Sequence, residues 1–218
     1  MKQTLKRIIR NVKSIKGNSL AEFATTTALM ATLAATAAPK LSEMSEGTKA
    51  EKSRNEIDKI IKQAGQFYQD MADEEGRGRF PGQEKYNLSV PDGSGYADEA
   101  TLLAAIKGDD ATFTNFESSE ATKWASIFGT TNSESPMPST ASVNTAEDDD
   151  GDGSFDEYVG AEEFLNEFGG NAIKSPFQDG HYIYTVIPGS GSGTSSVSPI
   201  LYIADLESPN NFHKKLQP

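Results

Sequence analysis

The feature that most constrains the fold is an almost uncharged segment at residues 20–38, in which Glu22 is the only charged side chain. The run from Asn18 to Ala38 has the length of about 20 residues that a membrane-spanning helix needs. Six basic residues and no acidic one precede it: Lys2, Lys6, Arg7, Arg10, Lys13 and Lys16. Such a basic head keeps the N-terminus in the cytoplasm and directs the rest of the chain across the membrane.

This segment allows three interpretations, which differ in where the chain is cut. A secretory signal peptide would be cut after the run, where Ala35-Thr36-Ala37 provides the small-residue pattern. A plain N-terminal anchor would not be cut. Both leave Glu22 unexplained, although a charge in a membrane-length segment is costly and usually functional. In the third interpretation the cut follows Gly17, and the apolar run becomes the mature N-terminus.

The third interpretation has a family resemblance in its favour. The stretch Lys16-Gly17-Asn18-Ser19-Leu20-Ala21-Glu22-Phe23 resembles the type III signal sequence of type IV pilins and type II secretion pseudopilins. Counted from Asn18, Glu22 falls at the family's fifth-position glutamate and Pro39 at its twenty-second-position proline. The chain departs from the family at Asn18, usually phenylalanine, and at Ala21, usually a large aliphatic residue. We therefore predict cleavage after Gly17 but do not predict N-methylation of Asn18.

The resemblance implies an α+β, pilin-like fold, in which a long N-terminal helix packs on a small antiparallel sheet. It also implies that Glu22 neutralises the N-terminal amine of Asn18 in a neighbouring subunit. The implied partners are further copies of the chain in a helical homopolymer, a prepilin peptidase and an inner-membrane assembly platform. The implied locations are the inner membrane before assembly and an extracellular filament or periplasmic pseudopilus afterwards. The alternative for Glu22 is a carboxylate that reaches the membrane surface from near the helix end.

The predicted organisation is a leader at residues 1–17, a long helix at residues 18–75 and a globular head at residues 76–218. Residues 18–39 form the membrane or filament-core part of the helix, and residues 40–75 form an amphipathic part. The amphipathic part carries apolar residues at spacings of three and four, as one face of a helix requires. They are Ile57, Ile60, Ile61, Ala64, Phe67, Tyr68 and Met71.

In the head, apolar patterns predict helices at residues 97–107, 118–128 and 161–168, the second capped by Ser119. Two β-branched and aromatic runs, at residues 181–187 and 198–204, flank a Gly- and Ser-rich turn and predict an antiparallel hairpin. Residues 175–182 loosely resemble the segment by which major pseudopilins enter their sheet, with Phe177 in place of a tryptophan.

The strongest chemical motif is the acidic stretch at residues 147–158. Three alternating aspartates, a glycine and the following serine carbonyl resemble the opening of an EF-hand calcium loop. The predicted ligands are Asp148, Asp150, Asp152, Ser154, Asp156 and Glu157. Val159 occupies the usual position of the closing glutamate, so Asp156, Glu157, Glu162 or Glu163 must close the loop. The resemblance to major pseudopilins also implies calcium as a cofactor. The alternative is a solvated acidic linker.

Other classes of function find little support in the sequence. The formal charge of −12 argues against nucleic-acid binding. The chain has no cysteine, and its two histidines, His181 and His213, show no catalytic spacing, so we expect no enzyme. The sequence predicts a structural subunit of a type IV pilus-like filament or a type II secretion pseudopilin. A calcium-binding surface or adhesion module that is anchored or secreted and does not polymerise is the alternative from another class.

Overall fold

The computed structural model describes residues 2–91, 93, 95–107, 123–128, 159–177, 181–191, 193–206 and 208–218. It divides into two units, Met1–Thr48 and Lys49–Pro218. Helix α1, Lys2–Glu75, contributes to both units and ends where the sequence predicts. It begins at Lys2 rather than at residue 18, because no proline interrupts residues 2–17 and an internal glycine costs a helix only about 1 kcal/mol. The helix also continues through Pro39, whose ring removes one backbone hydrogen bond.

In the second unit, one side of α1 is buried in the head. The buried residues are Ser53, Ile57, Ile60, Ala64 and Phe67. Ile61 and Tyr68 are half-buried beside them and pack against the same cluster. The apolar stripe predicted from the sequence is therefore the side of the helix that packs on the head.

The head contains one antiparallel sheet in the order β1-β2-β3-β4. The strands are β1, Ala125–Ser126; β2, Tyr182–Ile187; β3, Ile200–Asp205; and β4, His213–Leu216. Strands β2 and β3 form the predicted antiparallel pair, with Tyr184 opposite Ile203. Strand β4 is added on the other side of β3, with Lys215 opposite Tyr202.

In the described part of the head, two short α-helices accompany the sheet. Helix α2, Glu99–Lys107, and helix α3, Val159–Glu167, lie within two residues of the predicted positions at every end. Asp98 starts α2 as its N-cap, because its Oδ1 accepts a hydrogen bond of 2.8 Å from the backbone N–H of Thr101.

Both faces of the sheet are covered, which explains why every residue of β2 is buried. Side chains alternate between the faces along a strand. Tyr182, Tyr184 and Val186 pack in one cluster with the α1 stripe and with Phe164 of α3. Ile183 and Ile187 pack in a second cluster with the apolar side of α2, together with Tyr96 and Trp124. The α+β, pilin-like layout, with a long helix packed on a small antiparallel sheet, is confirmed.

The prediction of a helix at residues 118–128 is wrong over the part that the structure describes. Ala125 and Ser126 form β1, opposite Tyr184 and Ile183 of β2. All residues from Trp124 to Phe128 are buried, whereas an amphipathic helix would bury only one side. Pairing with β2 therefore outweighs the local helix pattern. The predicted cap, Ser119, lies outside the described residues.

Candidate functional site

The first candidate site is the part of α1 in the first unit, where every described side chain from residue 19 to residue 48 is exposed. Seven large apolar side chains are 63% to 76% exposed there: Leu20, Phe23, Leu29, Met30, Leu33, Leu41 and Met44. Elsewhere in the described part of the chain only Val197 is comparable. A contiguous apolar surface of this kind marks a place where lipid or protein binds. By length and composition, α1 is a candidate membrane-spanning helix.

The threonines of this segment bond to their own helix. The Thr25 hydroxyl donates to the Ala21 carbonyl at 2.7 Å, and the Thr27 hydroxyl donates to the Phe23 carbonyl at the same distance. The hydroxyls of Thr26, Thr32 and Thr36 make equivalent bonds. Because bonded hydroxyls do not need water, the many threonines do not prevent an apolar neighbour from covering the helix.

Between Ser19 and Pro39, Glu22 is the only charged side chain on this surface. It lies one turn after Asn18 in α1 and is exposed, and the Thr26 hydroxyl donates to its backbone carbonyl. Among the side chains that the structure describes, none pairs with its carboxylate. A carboxylate covered by an apolar neighbour without a cation would take up a proton. A neighbour that covers this part of α1 while Glu22 stays charged must therefore supply a positive group.

The other sequence-predicted residues of this site also belong to α1. Gly17 and Asn18, on either side of the predicted cut, lie inside the helix, and so does Pro39. The residues predicted to serve in processing and assembly therefore lie on one continuous helix.

The second candidate site, the acidic stretch at residues 147–158, lies outside the described residues. All six predicted ligands lie in this stretch: Asp148, Asp150, Asp152, Ser154, Asp156 and Glu157. Helix α3 begins directly after it, at Val159. In the described part of the chain, no three His, Asp or Glu side chains are grouped so as to hold a metal ion.

The structure does distinguish the two glutamates of α3 that could close a calcium loop. The Glu163 carboxylate already accepts hydrogen bonds from the Arg79 guanidinium at 2.8 Å and from the Gly82 backbone N–H at 2.7 Å. Burial raises the pKa of Glu163, and these two bonds oppose the rise by favouring its charged form. Glu162 is exposed, so it is the better placed of the two to reach a cation beside α3.

One buried polar group was not found by sequence reasoning. Asp205, at the end of β3, is fully buried, and its Oδ2 accepts hydrogen bonds from Ser53 at 2.7 Å and from Ser175 at 2.8 Å. Because Ser53 belongs to α1, this carboxylate ties the long helix to the sheet. The nearby Phe177 is half-buried and packs against Phe212 at a ring distance of 5.2 Å.

The two histidines make contacts inside the head. The Nε2 of the buried His181 lies 2.6 Å from the Ser126 hydroxyl of β1. Burial lowers the pKa of His181 to about 4. The Nδ1 of His213 donates to the Pro209 carbonyl at 2.8 Å.

Comparison of the chain with protein-family models, with curated proteins and with solved structures found no match.

Proposed function

We propose that this protein is a structural subunit of a type IV pilus-like filament and polymerises through the first half of α1. The observation that carries the proposal is the contrast along this single helix. One side of its second half is buried in a folded head, whereas residues 19–48 expose seven large apolar side chains, with Glu22 as the only charged residue between Ser19 and Pro39. The resemblance around Gly17, Glu22 and Pro39 supports the same function.

In the proposed mechanism, a prepilin peptidase cuts after Gly17 and frees the amine of Asn18. The first half of α1 lies in the inner membrane until an assembly platform moves the subunit into the filament. The apolar side chains then pass from lipid into a bundle of helices. Glu22 pairs with the Asn18 amine of a neighbouring copy, which supplies the positive group that its carboxylate needs.

Filaments sheared from cells that express the full chain would test this proposal. We expect filaments in electron micrographs and a mature N-terminus at Asn18 by mass spectrometry. Glu22→Ala should strongly reduce filament yield without changing the amount of protein in the membrane. Glu43→Ala is the matched control, because Glu43 is an exposed glutamate of the same helix beyond Pro39. Normal filament yield from Glu22→Ala would show that Glu22 has no role in assembly.

The same experiment separates the alternatives. A type II secretion pseudopilin would give the Asn18 terminus but short filaments confined to the periplasm. An anchored or secreted calcium-binding module that does not polymerise would give a monomer, cut near Ala38 or not cut at all.

We also propose that the acidic stretch at residues 147–158 binds Ca²⁺ and stabilises the head in place of a disulfide. The support is the alternation of Asp148, Asp150 and Asp152 directly before α3. Millimolar Ca²⁺ should raise the melting temperature of the protein, and a chelator should reverse the rise, because a ligand that binds only the folded state stabilises it. Asp150→Asn should abolish the effect, whereas Asp73→Asn, in the last turn of α1, should retain it. A melting temperature that Ca²⁺ does not change would show that residues 147–158 are a solvated acidic linker.

A further inference from the structure

Seven large apolar side chains are exposed between residues 19 and 48, and all of them except Leu20 lie on one side of α1. Because an α-helix turns by about 100° per residue, six of them fall within an arc of about 120° of the helix circumference. We name this arc the large face. Its large side chains are Phe23, Leu29, Met30, Leu33, Leu41 and Met44, all of them at least 63% exposed, and the same arc also holds Glu22, Thr26, Ala37 and Lys40.

Glu22 lies inside the large face. Leu29 and Leu33 follow it at spacings of seven and eleven residues, which return to nearly the same side of a helix. The carboxylate therefore stands at the N-terminal end of a row of leucines. A neighbour that covers these leucines also covers Glu22.

The opposite side of the helix carries only small residues up to Thr36, and Pro39 and Glu43 lie on that side beyond it. Between residues 21 and 36, an arc of about 140° holds nothing but Ala and Thr. We name this arc the small face. It consists of Ala21, Ala24, Thr25, Ala28, Ala31, Thr32, Ala35 and Thr36. The hydroxyls of its threonines bond to carbonyls of the same helix, so this face offers a neighbour no unsatisfied hydroxyl.

The two faces complement each other better than either complements itself. Two large faces would hold their helix backbones apart, whereas a large face against a small face allows close packing. Each copy carries one face of each kind. A contact between unlike faces is not closed by a two-fold axis, so it can repeat from copy to copy.

We propose that neighbouring copies of this protein meet with the large face of one α1 against the small face of the next. The Glu22 carboxylate then contacts the copy whose small face packs against its large face. It does not contact the copy that packs against the opposite side of the same helix. This inference rests on the proposed function and adds which sides of the helix meet.

The absence of cysteine from the chain makes a direct test possible. Single cysteines would be placed on the large face, at Met30 or Leu33, and on the small face, at Ala28 or Ala35. Two differently tagged full-length variants would be expressed together and mildly oxidised in the membrane or filament. Disulfides form only where two Cα atoms come within about 7 Å of each other. We expect mixed dimers between the large and small faces to be several-fold more abundant than dimers between like faces.

A second test moves the carboxylate from one face to the other. The double variant Ala21→Glu with Glu22→Ala keeps the composition of the helix and places the carboxylate only about 1.5 Å away along the axis. It rotates the carboxylate by about 100°, onto the small face. We expect this variant to lose filaments as completely as Glu22→Ala does. Wild-type filament yield from the double variant would overturn the inference.

The outcomes distinguish this inference from the proposed function. Filaments in which dimers between like faces dominate, or in which no pair forms a disulfide, would overturn the pairing of unlike faces and leave the filament subunit standing. Mixed dimers in membranes of cells that make no filament would support the pairing and count against the filament. A chain that gives neither dimers nor filaments would overturn both.

Discussion

Ile60→Ala tests the contact between α1 and the sheet. Ile60 is fully buried at the centre of the α1 stripe and packs in the same cluster as Tyr182 and Leu201. Replacing it with alanine shortens the side chain without breaking the helix, because alanine is the best helix former. Any loss of stability therefore comes from the packing of the helix on the head.

The size of the loss follows from the burial of Ile60. Removing three buried carbon groups costs about 2.4 kcal/mol in transfer free energy. The cavity left behind raises the total to about 3–4 kcal/mol of the free energy of unfolding. For a domain of this size, such a loss corresponds to a fall of about 6–16 °C in melting temperature.

Fluorescence of the single tryptophan provides the assay. Trp124 is fully buried on the opposite face of the sheet, so it reports unfolding of the head without touching the substituted residue. Urea unfolding of the full chain in a mild detergent would give the free energy of unfolding. Leu33→Ala is the matched control, because it removes a large apolar side chain from the exposed part of the same helix. We expect it to leave the unfolding of the head unchanged.

Two results would contradict this reasoning. A change below about 0.5 kcal/mol for Ile60→Ala, within the usual range of surface substitutions, would show that the stripe does not pack on the sheet. An equal loss for Leu33→Ala would show that the two halves of α1 do not differ in what they contact.

Two further predictions concern polar groups of the head. Ser175→Ala removes a donor from the buried Asp205 carboxylate and should cost about 1–3 kcal/mol of unfolding free energy. Thr48→Ala, an exposed hydroxyl in α1, should cost less than about 0.5 kcal/mol in the same urea experiment. A lowered pKa makes His181 destabilising in acid, because the unfolded chain binds its proton first. Between pH 6.5 and pH 5 the unfolding free energy should fall by about 1.5 kcal/mol, and His181→Gln should remove most of that fall. If the unfolding free energy of the wild type and of His181→Gln changes equally with pH, His181 is not the group responsible.

The elements that could be predicted from the sequence are those with a strong local pattern. The α1 stripe follows from apolar spacings of three and four, and the β2–β3 pair follows from two β-branched runs around a flexible turn. In both cases neighbours along the chain determine which side is buried. The exposure of residues 20–38 agrees with a run of membrane length that carries a single charge. Residues 41–48, which the sequence assigns to the amphipathic part, are exposed as well.

The elements that could not be predicted depend on distant partners. Strand β4 contains Lys214 and Lys215, which carry no strand signal, and it exists because β3 offers a free edge. Charged side chains of this kind suit an edge strand. Asp205 is buried because Ser53, 152 residues away, brings a donor to it. No pattern in the sequence around Asp205 predicts such a distant partner.

The two halves of α1 also differ in what can drive their association. The second half packs on the head in water, so the hydrophobic effect stabilises its contact. In the proposed mechanism the first half moves from lipid to other helices, and lipid tails are as apolar as leucine. The exchange therefore gains little from burial, and the driving force must come from close packing and from polar contacts. This is why sorted large and small faces and a single carboxylate at Glu22 would suit an assembling helix, whereas a simple anchor would need neither.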